Sequence, residues 1–169
     1  KMISIVVPLY NEAESLPHLL QAIGNALAGE SYEVVLVDDG STDASFEVCR
    51  GLHAEFPGNV KVVRFSRNYG KAAALSEGIK VATGDIIITM DADLQDDPTA
   101  IPGMIEKINE GWDIVSGWKK KRYDPVFSKN LPSKFFNAVT SFASGLHLHD
   151  FNCGFKAYRA DAAKSLDIY

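Results

Sequence analysis

Short apolar runs alternate with segments of helical periodicity along most of this 169-residue chain. The runs are apolar at consecutive positions, which is typical of strands that are buried on both faces of a parallel sheet. Five runs are apparent: Ile3 to Val7, Glu33 to Val37, Val60 to Phe65, Asp85 to Met90, and Asp113 to Ser116. The pattern predicts an α/β protein with a mostly parallel central sheet flanked by helices.

The segments between the runs carry helix signals. Apolar residues repeat at helical spacing over 16–27, and Pro17 fits only in a first turn, so a helix should begin near Ser15. A second apolar repeat follows Asp97 and Pro98, a pair that is typical of a helix start. The sequence therefore predicts βα units up to about residue 117.

The alternation stops after residue 117. Residues 118–132 are basic and irregular, and a connection of this length in a compact domain is usually functional or mobile. We expect a helix at about 133–144 and a strand-like segment at 152–158. No second-domain boundary is visible, so 1–169 should form a single domain. Its composition does not change toward 166–169, which suggests a piece of a longer protein.

Composition excludes several classes of protein. A formal net charge of −5 argues against a general nucleic-acid binder, which needs a basic face. Cys49 and Cys153 lie far apart without metal-ligand spacing, and we expect both to be reduced, buried thiols. No apolar run reaches the roughly 18 residues of a membrane helix, and no signal peptide is apparent. These features predict a soluble, cytosolic chain.

Polar residues follow four of the five apolar runs. They are Tyr10 to Glu12, Asp38 to Ser41, Arg67 to Lys71, and Asp91 to Gln95. In open parallel sheets, ligands bind beyond the carboxyl ends of the strands. The sequence therefore predicts one cleft with four walls, and the polarity that follows the first run forms one of them.

Asp91 and Asp93 are the strongest candidates for chemistry. They are two residues apart, so an extended backbone directs both carboxylates to one face. At about 5 Å and an effective dielectric near 20, their repulsion is roughly 3 kcal/mol, which a shared cation would remove. Helix capping is the alternative, but it needs one acid, and Asp96 and Asp97 follow closely. The pattern favours a hard divalent ion such as Mg²⁺ or Mn²⁺, with a diphosphate as further ligand.

Other stretches leave alternatives open. Asp38 to Asp43 is either an Asp-Gly turn with a helix cap, or a loop whose acids face the base and ribose of a nucleotide. Glycine-rich dinucleotide and P-loop motifs are absent. Lys71 is either solvated or, near a helix N-terminus, placed to contact phosphates. The basic residues of 119–134 suit a phosphorylated acceptor, anionic lipid or plain solvent.

Taken in order, five motifs resemble the family 2 glycosyltransferases, most closely the dolichol-phosphate mannose synthase-like branch that loads sugars onto polyprenyl phosphates. The motifs are VVPLYNE, VDDGSTD, NYGKAAAL, MDADLQDDP and DFNCGFKAYR. The resemblance implies a GT-A fold with a Rossmann-like N-terminal half and a nucleotide-diphosphate sugar donor. It also implies a Mg²⁺ or Mn²⁺ ion and inversion at the anomeric carbon.

The resemblance further implies roles for individual residues. Those that would hold the base and ribose are Pro8, Tyr10, Glu12 and Asp39. Those that would organise the metal and diphosphate are Asp91, Asp93 and Gln95, with Lys71 also on the diphosphate. Arg122 and Lys134 would bind an acceptor phosphate. Asp93 and Asp150 would lie at the reaction centre.

The class of acceptor decides what Asp150 does. A phosphate monoester is mostly dianionic at neutral pH and needs no general base, whereas a sugar hydroxyl needs one, for which Asp150 is the candidate. Transfer of a hexose to a dolichyl or undecaprenyl phosphate is the leading interpretation, and transfer to a saccharide hydroxyl is the alternative. A sugar nucleotidyltransferase would carry a glycine-rich basic loop where residues 9–12 stand. A non-catalytic binder of nucleotide sugars would have little use for the Asp91 and Asp93 pair.

Family members continue into amphipathic or membrane-spanning helices. The resemblance therefore implies attachment to the cytoplasmic face of a membrane through a C-terminal region. The sequence predicts no oligomeric state.

Overall fold

The computed structural model describes residues 1–117, the backbone of 136–139, and residues 154–165. The strands in these ranges are β1 (Met2–Leu9), β2 (Ser31–Asp38), β3 (Val60–Arg64), β4 (Ile86–Thr89), β5 (Ile114–Gly117), β6 (Phe136–Val139) and β7 (Lys156–Arg159). The helices are α1 (Leu16–Ala26), α2 (Ser45–Glu55), α3 (Lys71–Val81), α4 (Ile101–Asn109) and α5 (Ala160–Ser165), with a short 3₁₀ helix at Pro98–Ala100 before α4. None of these helices is long and apolar enough to cross a membrane.

The strands of the described ranges form one sheet in the order β3-β2-β1-β4-β7-β5-β6. The four strands from β3 to β4 are parallel, as the sequence predicted. Leu9 lies opposite Asp38, and Asp38 lies opposite Arg64. The carboxyl ends of β1, β2 and β3 therefore meet at one edge of the sheet, and β4, paired in parallel with β1, ends on the same side.

The strands β1, β2 and β4 are buried on both faces of the sheet, which explains their uninterrupted apolar runs. Ile5 and Val7 of β1 pack with Leu19 of α1 on one face. Val6, between them, packs with Leu75 of α3 on the other. This alternation follows from the two-residue period of a strand. The predicted start of α1 near Ser15 is also confirmed, with Pro17 in the first turn.

The second half of the sheet contains antiparallel pairs that the apolar pattern did not reveal. β7 lies between β4 and β5 and is antiparallel to both, and β6 is antiparallel to β5. The helix expected at about 133–144 is therefore wrong over 136–139, where the backbone pairs with β5. The reason is non-local: β5 offers an open edge, and this segment contains residue types that are common in strands.

A buried polar network lies around Glu33, near the amino ends of the parallel strands. Its Oε2 accepts hydrogen bonds from Ser4 Oγ at 2.6 Å and from the Thr83 amide at 2.7 Å. Lys61 Nζ lies 2.8 Å from Oε1. The Ser4 hydroxyl in turn accepts from the Gly84 amide at 2.8 Å. Burial disfavours the carboxylate, but the bonds from its partners outweigh burial and lower the pKa of Glu33. The network joins β1, β2 and β3 to the segment that leads into β4.

We expect Glu33→Gln to lower the free energy of unfolding by about 2 kcal/mol at neutral pH, because the buried amide loses the ion pair and one acceptor. The folded carboxyl has a lowered pKa, so its stabilisation is fully present above the ordinary value of about 4.3 and is lost as pH falls through the lower folded value. Urea unfolding from pH 7 to pH 3 should show the difference from wild type shrinking. The exposed Glu30→Gln is the control, and a pH-independent difference would contradict this account.

Candidate functional site

The loops at the carboxyl edge of the parallel strands surround a cleft of about 250 Å³. Its lining residues are Pro8, Leu9, Tyr10, Glu12, Asp39, Lys71, Asp91, Ala92 and Asp93. All the residues expected to hold the base and ribose are present, together with Lys71 and both acids of the Asp91 pair. The structure thus brings to one cavity side chains that come from four separate loops.

The other predicted site residues lie elsewhere. Gln95 is exposed and does not line the cleft, although its backbone amide donates to Asp93 Oδ1 at 3.1 Å. Arg122, Lys134 and Asp150 lie outside the described residues.

Asn11, one of the polar residues that follow β1, has a structural role. Its backbone is in the left-handed region, with φ 55°, which asparagine tolerates better than most residues. The side-chain oxygen accepts from the amides of Thr42 at 2.9 Å and Asp43 at 3.2 Å. The amide of Glu12 donates to Ser45 Oγ at 2.8 Å. The loop after β1 is thereby fastened to the loop after β2, a role that sequence analysis missed.

Asp39 fastens the loop after β2 to the start of α3. Its carboxylate is nearly buried and accepts from the amide of Tyr69 at 2.7 Å and the amide of Gly70 at 3.0 Å. Gly40, with φ 76°, allows the close approach, since a Cβ there would lie 2.6 Å from the Asn68 nitrogen. A carboxylate has about four acceptor positions, so these two bonds leave capacity for a nucleotide hydroxyl or amine.

Asp38, the last residue of β2 and the neighbour of Asp39, is fully buried. Its Oδ1 accepts from the Ser41 amide at 3.0 Å, while Oδ2 has no hydrogen-bond partner among the described residues. Burial, and then the charge of Asp38, raise the pKa of the Cys49 thiol to about 12. Cys49 is a free, buried thiol, as expected, and Cys153 lies outside the described residues.

The four acids after β4 have separate tasks. Asp96 Oδ2 is buried and accepts from the backbone amide of Asp91 at 2.9 Å. Asp97 Oδ1 accepts from the amide of Thr99 at 3.0 Å, so the predicted helix start there is confirmed. Asp91 and Asp93 face the cleft instead. The structure thus separates the acids that point into the loop from the two that face the cleft.

Lys71 is paired with Asp91, which answers whether it is merely solvated. Its Nζ lies 2.5 Å from Asp91 Oδ1. The backbone of Gly154 covers the pair, since a Cβ there would lie 2.7 Å from that carboxylate oxygen and 3.0 Å from the ammonium. Lys71 is the first residue of α3, directly after Gly70, so the bond that the Gly70 amide donates to Asp39 also places the backbone of this lysine.

Negative charge is concentrated in the cleft. Burial is the main cause that raises the pKa of Glu12, and the charges of Asp93, Asp43 and Asp91 raise it further against an opposing hydrogen bond from Ser15. The Ser15 hydroxyl also donates to the carbonyl of Ala92 at 2.6 Å, which ties the start of α1 to the Asp91 loop.

This donor set fits a hard divalent ion. Asp91 and Asp93 offer carboxylate oxygens only, which suit Mg²⁺ or Mn²⁺. Across 1–117 and 154–165, no group of three or more His, Cys, Asp and Glu side chains is arranged to hold a metal. Two carboxylates are what such an ion takes when phosphate oxygens and water complete its shell.

The model of the family described as "Glycosyl transferase family 2" matches residues 4–167 of this chain. The chain belongs to this family. The family resemblance seen in the sequence motifs is therefore confirmed.

Two curated relatives share one name, which specifies a lipid-phosphate sugar transferase. Undecaprenyl-phosphate 4-deoxy-4-formamido-L-arabinose transferase of Aeromonas hydrophila is 41% identical over 161 residues, which are 94% of this chain and 49% of that protein. The protein of the same name from Klebsiella pneumoniae is 40% identical over the same shares. The chain spans about half the length of these relatives.

Solved structures share the fold at low sequence identity. The mannosyltransferase PcManGT from Pyrobaculum calidifontis, in complex with GDP-Man and Mn²⁺, has a TM-score of 0.67 at 24% identity over 93% of this chain and 44% of that one. S. aureus TarS in complex with UDP-GlcNAc has a TM-score of 0.67 at 21% identity over 95% and 46%. The GT-A fold implied by the resemblance is confirmed.

We expect Gly40→Ala to disturb the close packing of the loop after β2 against the loop after β3. A left-handed backbone costs an alanine about 1–2 kcal/mol, and the clash with Asn68 should add about 1–3 kcal/mol. Gly29→Ala is a matched control, because Gly29 also has a positive φ, 86°, but open space around it. Urea unfolding should show a clearly larger loss for Gly40→Ala. Equal losses would mean that the close approach of the loops is not constrained.

Proposed function

We propose that this chain is the catalytic domain of a metal-dependent, inverting glycosyltransferase that moves a hexose from a nucleotide-diphosphate sugar to a polyprenyl phosphate. The observation that carries the proposal is the cleft itself. In a chain of family 2, one cavity collects two carboxylates that suit a metal, a lysine at a helix N-terminus, and the residues expected around a nucleoside.

Residues in and after the carboxyl ends of β1 and β2 form the nucleoside side of the cleft. Tyr10 is 44% exposed and offers an aromatic face beside Pro8. Glu12 and Asp39 supply acceptor oxygens that suit ribose hydroxyls and the N–H groups of a base. Carboxylates alone would repel phosphates, so we place the diphosphate beside the positive groups, which are Lys71, the N-terminus of α3 and the metal ion proposed for Asp91 and Asp93.

Asp91 and Asp93 would hold the divalent ion, and the exposed Gln95, bonded through its backbone to Asp93, would supply a further oxygen. When bound, such an ion neutralises negative charge that develops on a leaving diphosphate. Lys71 contributes a second positive charge on the same side, because α3 and the bonds to Asp39 hold its backbone beside the cleft. Gly154 lies against the Asp91 carboxylate and the Lys71 ammonium and leaves no room for a side chain there.

The names of the relatives support a lipid phosphate as acceptor. An acceptor oxygen would form its bond to the anomeric carbon while the bond to the diphosphate breaks on the opposite face, which inverts the configuration. The nucleoside diphosphate leaves with the electron pair. A dianionic phosphate needs no proton removed, and Arg122 and Lys134 are proposed to bind it. Asp150 would serve as a general base only with a hydroxyl acceptor.

We also propose that residues 1–169 form one GT-A domain of a longer protein held at the cytoplasmic face of a membrane. The relatives, which are about twice as long, and the lipid phosphate in their names support this.

The donor site is tested by calorimetric titration with UDP and GDP, with and without Mn²⁺. We expect one nucleotide to bind about ten-fold or more tightly with Mn²⁺, and Asp91→Ala to abolish this enhancement, because a ligand of the ion is lost. Glu106→Ala, which removes an exposed acid of α4, should behave as wild type. A folded wild-type chain that binds neither nucleotide would contradict the proposal.

The acceptor is tested with Asp150→Asn. With a radiolabelled nucleotide sugar and undecaprenyl phosphate, we expect at most a few-fold lower rate than wild type. A general base would contribute about 10²–10⁴-fold, so a loss of that size, seen with a saccharide acceptor, would favour transfer to a hydroxyl instead. Release of pyrophosphate from a nucleoside triphosphate and a sugar phosphate would indicate a nucleotidyltransferase.

A further inference from the structure

Asp91, which we propose as a metal ligand, forms an ion pair with Lys71. The Asp91 side chain is only 15% exposed, whereas that of Lys71 is 44% exposed. Gly154 lies against both charged groups, and its carbonyl accepts from the buried Thr89 hydroxyl at 2.6 Å. The carboxylate is therefore held in a fixed, largely enclosed position, while the lysine has an open side toward solvent.

A largely buried carboxylate is costly without a positive partner. Lys71 supplies that partner when no metal is bound. A divalent ion on Asp91 would place a second cation on a carboxylate that already pairs with Lys71, and repulsion between cations at such short range is large. The ammonium must then leave Asp91, and its half-exposed, four-carbon stem allows it to move.

We propose that Lys71 is a resident counterion of Asp91 that a divalent ion has to displace, so that the ion and the nucleotide diphosphate bind cooperatively. This inference rests on the proposed donor site. The displaced ammonium loses one anion, and the diphosphate, entering at the N-terminus of α3, offers another. Each ligand therefore favours binding of the other. The coupling is reciprocal because both ligands favour the same state, in which the ammonium has left Asp91. The device keeps the empty site from holding metal tightly.

The test is the affinity of the nucleotide-free chain for Mn²⁺, measured by electron paramagnetic resonance of the free ion. Lys71→Met keeps the length of the side chain but removes its charge, and we expect it to bind Mn²⁺ about five-fold more tightly than wild type. Lys71→Arg, which retains a cation, should stay near wild type. Lys80→Met removes an exposed lysine from the same helix and controls for the change in net charge.

A second titration measures the coupling factor, which is the ratio of the Mn²⁺ dissociation constants without and with the nucleotide that binds wild type. We expect this factor to fall in Lys71→Met. A folded Lys71→Met chain with unchanged or weaker affinity for Mn²⁺ alone would overturn the inference, while metal-dependent nucleotide binding by wild type would leave the proposed donor site standing. Absence of Mn²⁺ binding in every variant, with nucleotide present, would overturn both.

Discussion

The carboxyl edge of the parallel strands carries a high density of acidic side chains, and the shape of the cleft depends on how each carboxylate finds a partner. Backbone amides satisfy Asp39, Asp96 and Asp97. A lysine satisfies Asp91. Uncompensated charge in a partly buried site is costly, so these partners decide which acids are locked into the structure and which can serve a ligand.

The same partners connect the loops in a closed ring. Asn11 holds the loop after β2, and Asp39 in that loop holds the start of α3. Lys71 reaches from α3 to the loop after β4, and Ser15 joins that loop back to the start of α1. Because the ring closes, no wall of the cleft is positioned by one contact alone. A preorganised site of this kind pays little ordering entropy when its ligand binds.

Much of this arrangement could be predicted from the sequence. The uninterrupted apolar runs identified the parallel strands, and polar residues after four of them identified the cleft. The insertion of β7 between β4 and β5 was not predictable, because strand pairing across distant segments leaves no local periodicity. For the same reason, the helix expected at about 133–144 was wrong where β6 pairs with β5. The bonds that backbone amides donate to Asp39 could not be predicted either, since loop geometry rather than residue type decides them.

The position of β7 has a consequence for how the chain acquires its fold during synthesis. β4 and β5 both pair with β7, and within the described residues they are joined in the sheet only through it. Until residue 159 has left the ribosome, each of these strands presents an open edge with unpaired backbone groups, which is a template for association with other chains. The N-terminal half can assemble early from near neighbours. β7, which joins β4 to β5, is the last of the described strands to be synthesised, so the sheet stays open at this point while the other described strands are already available.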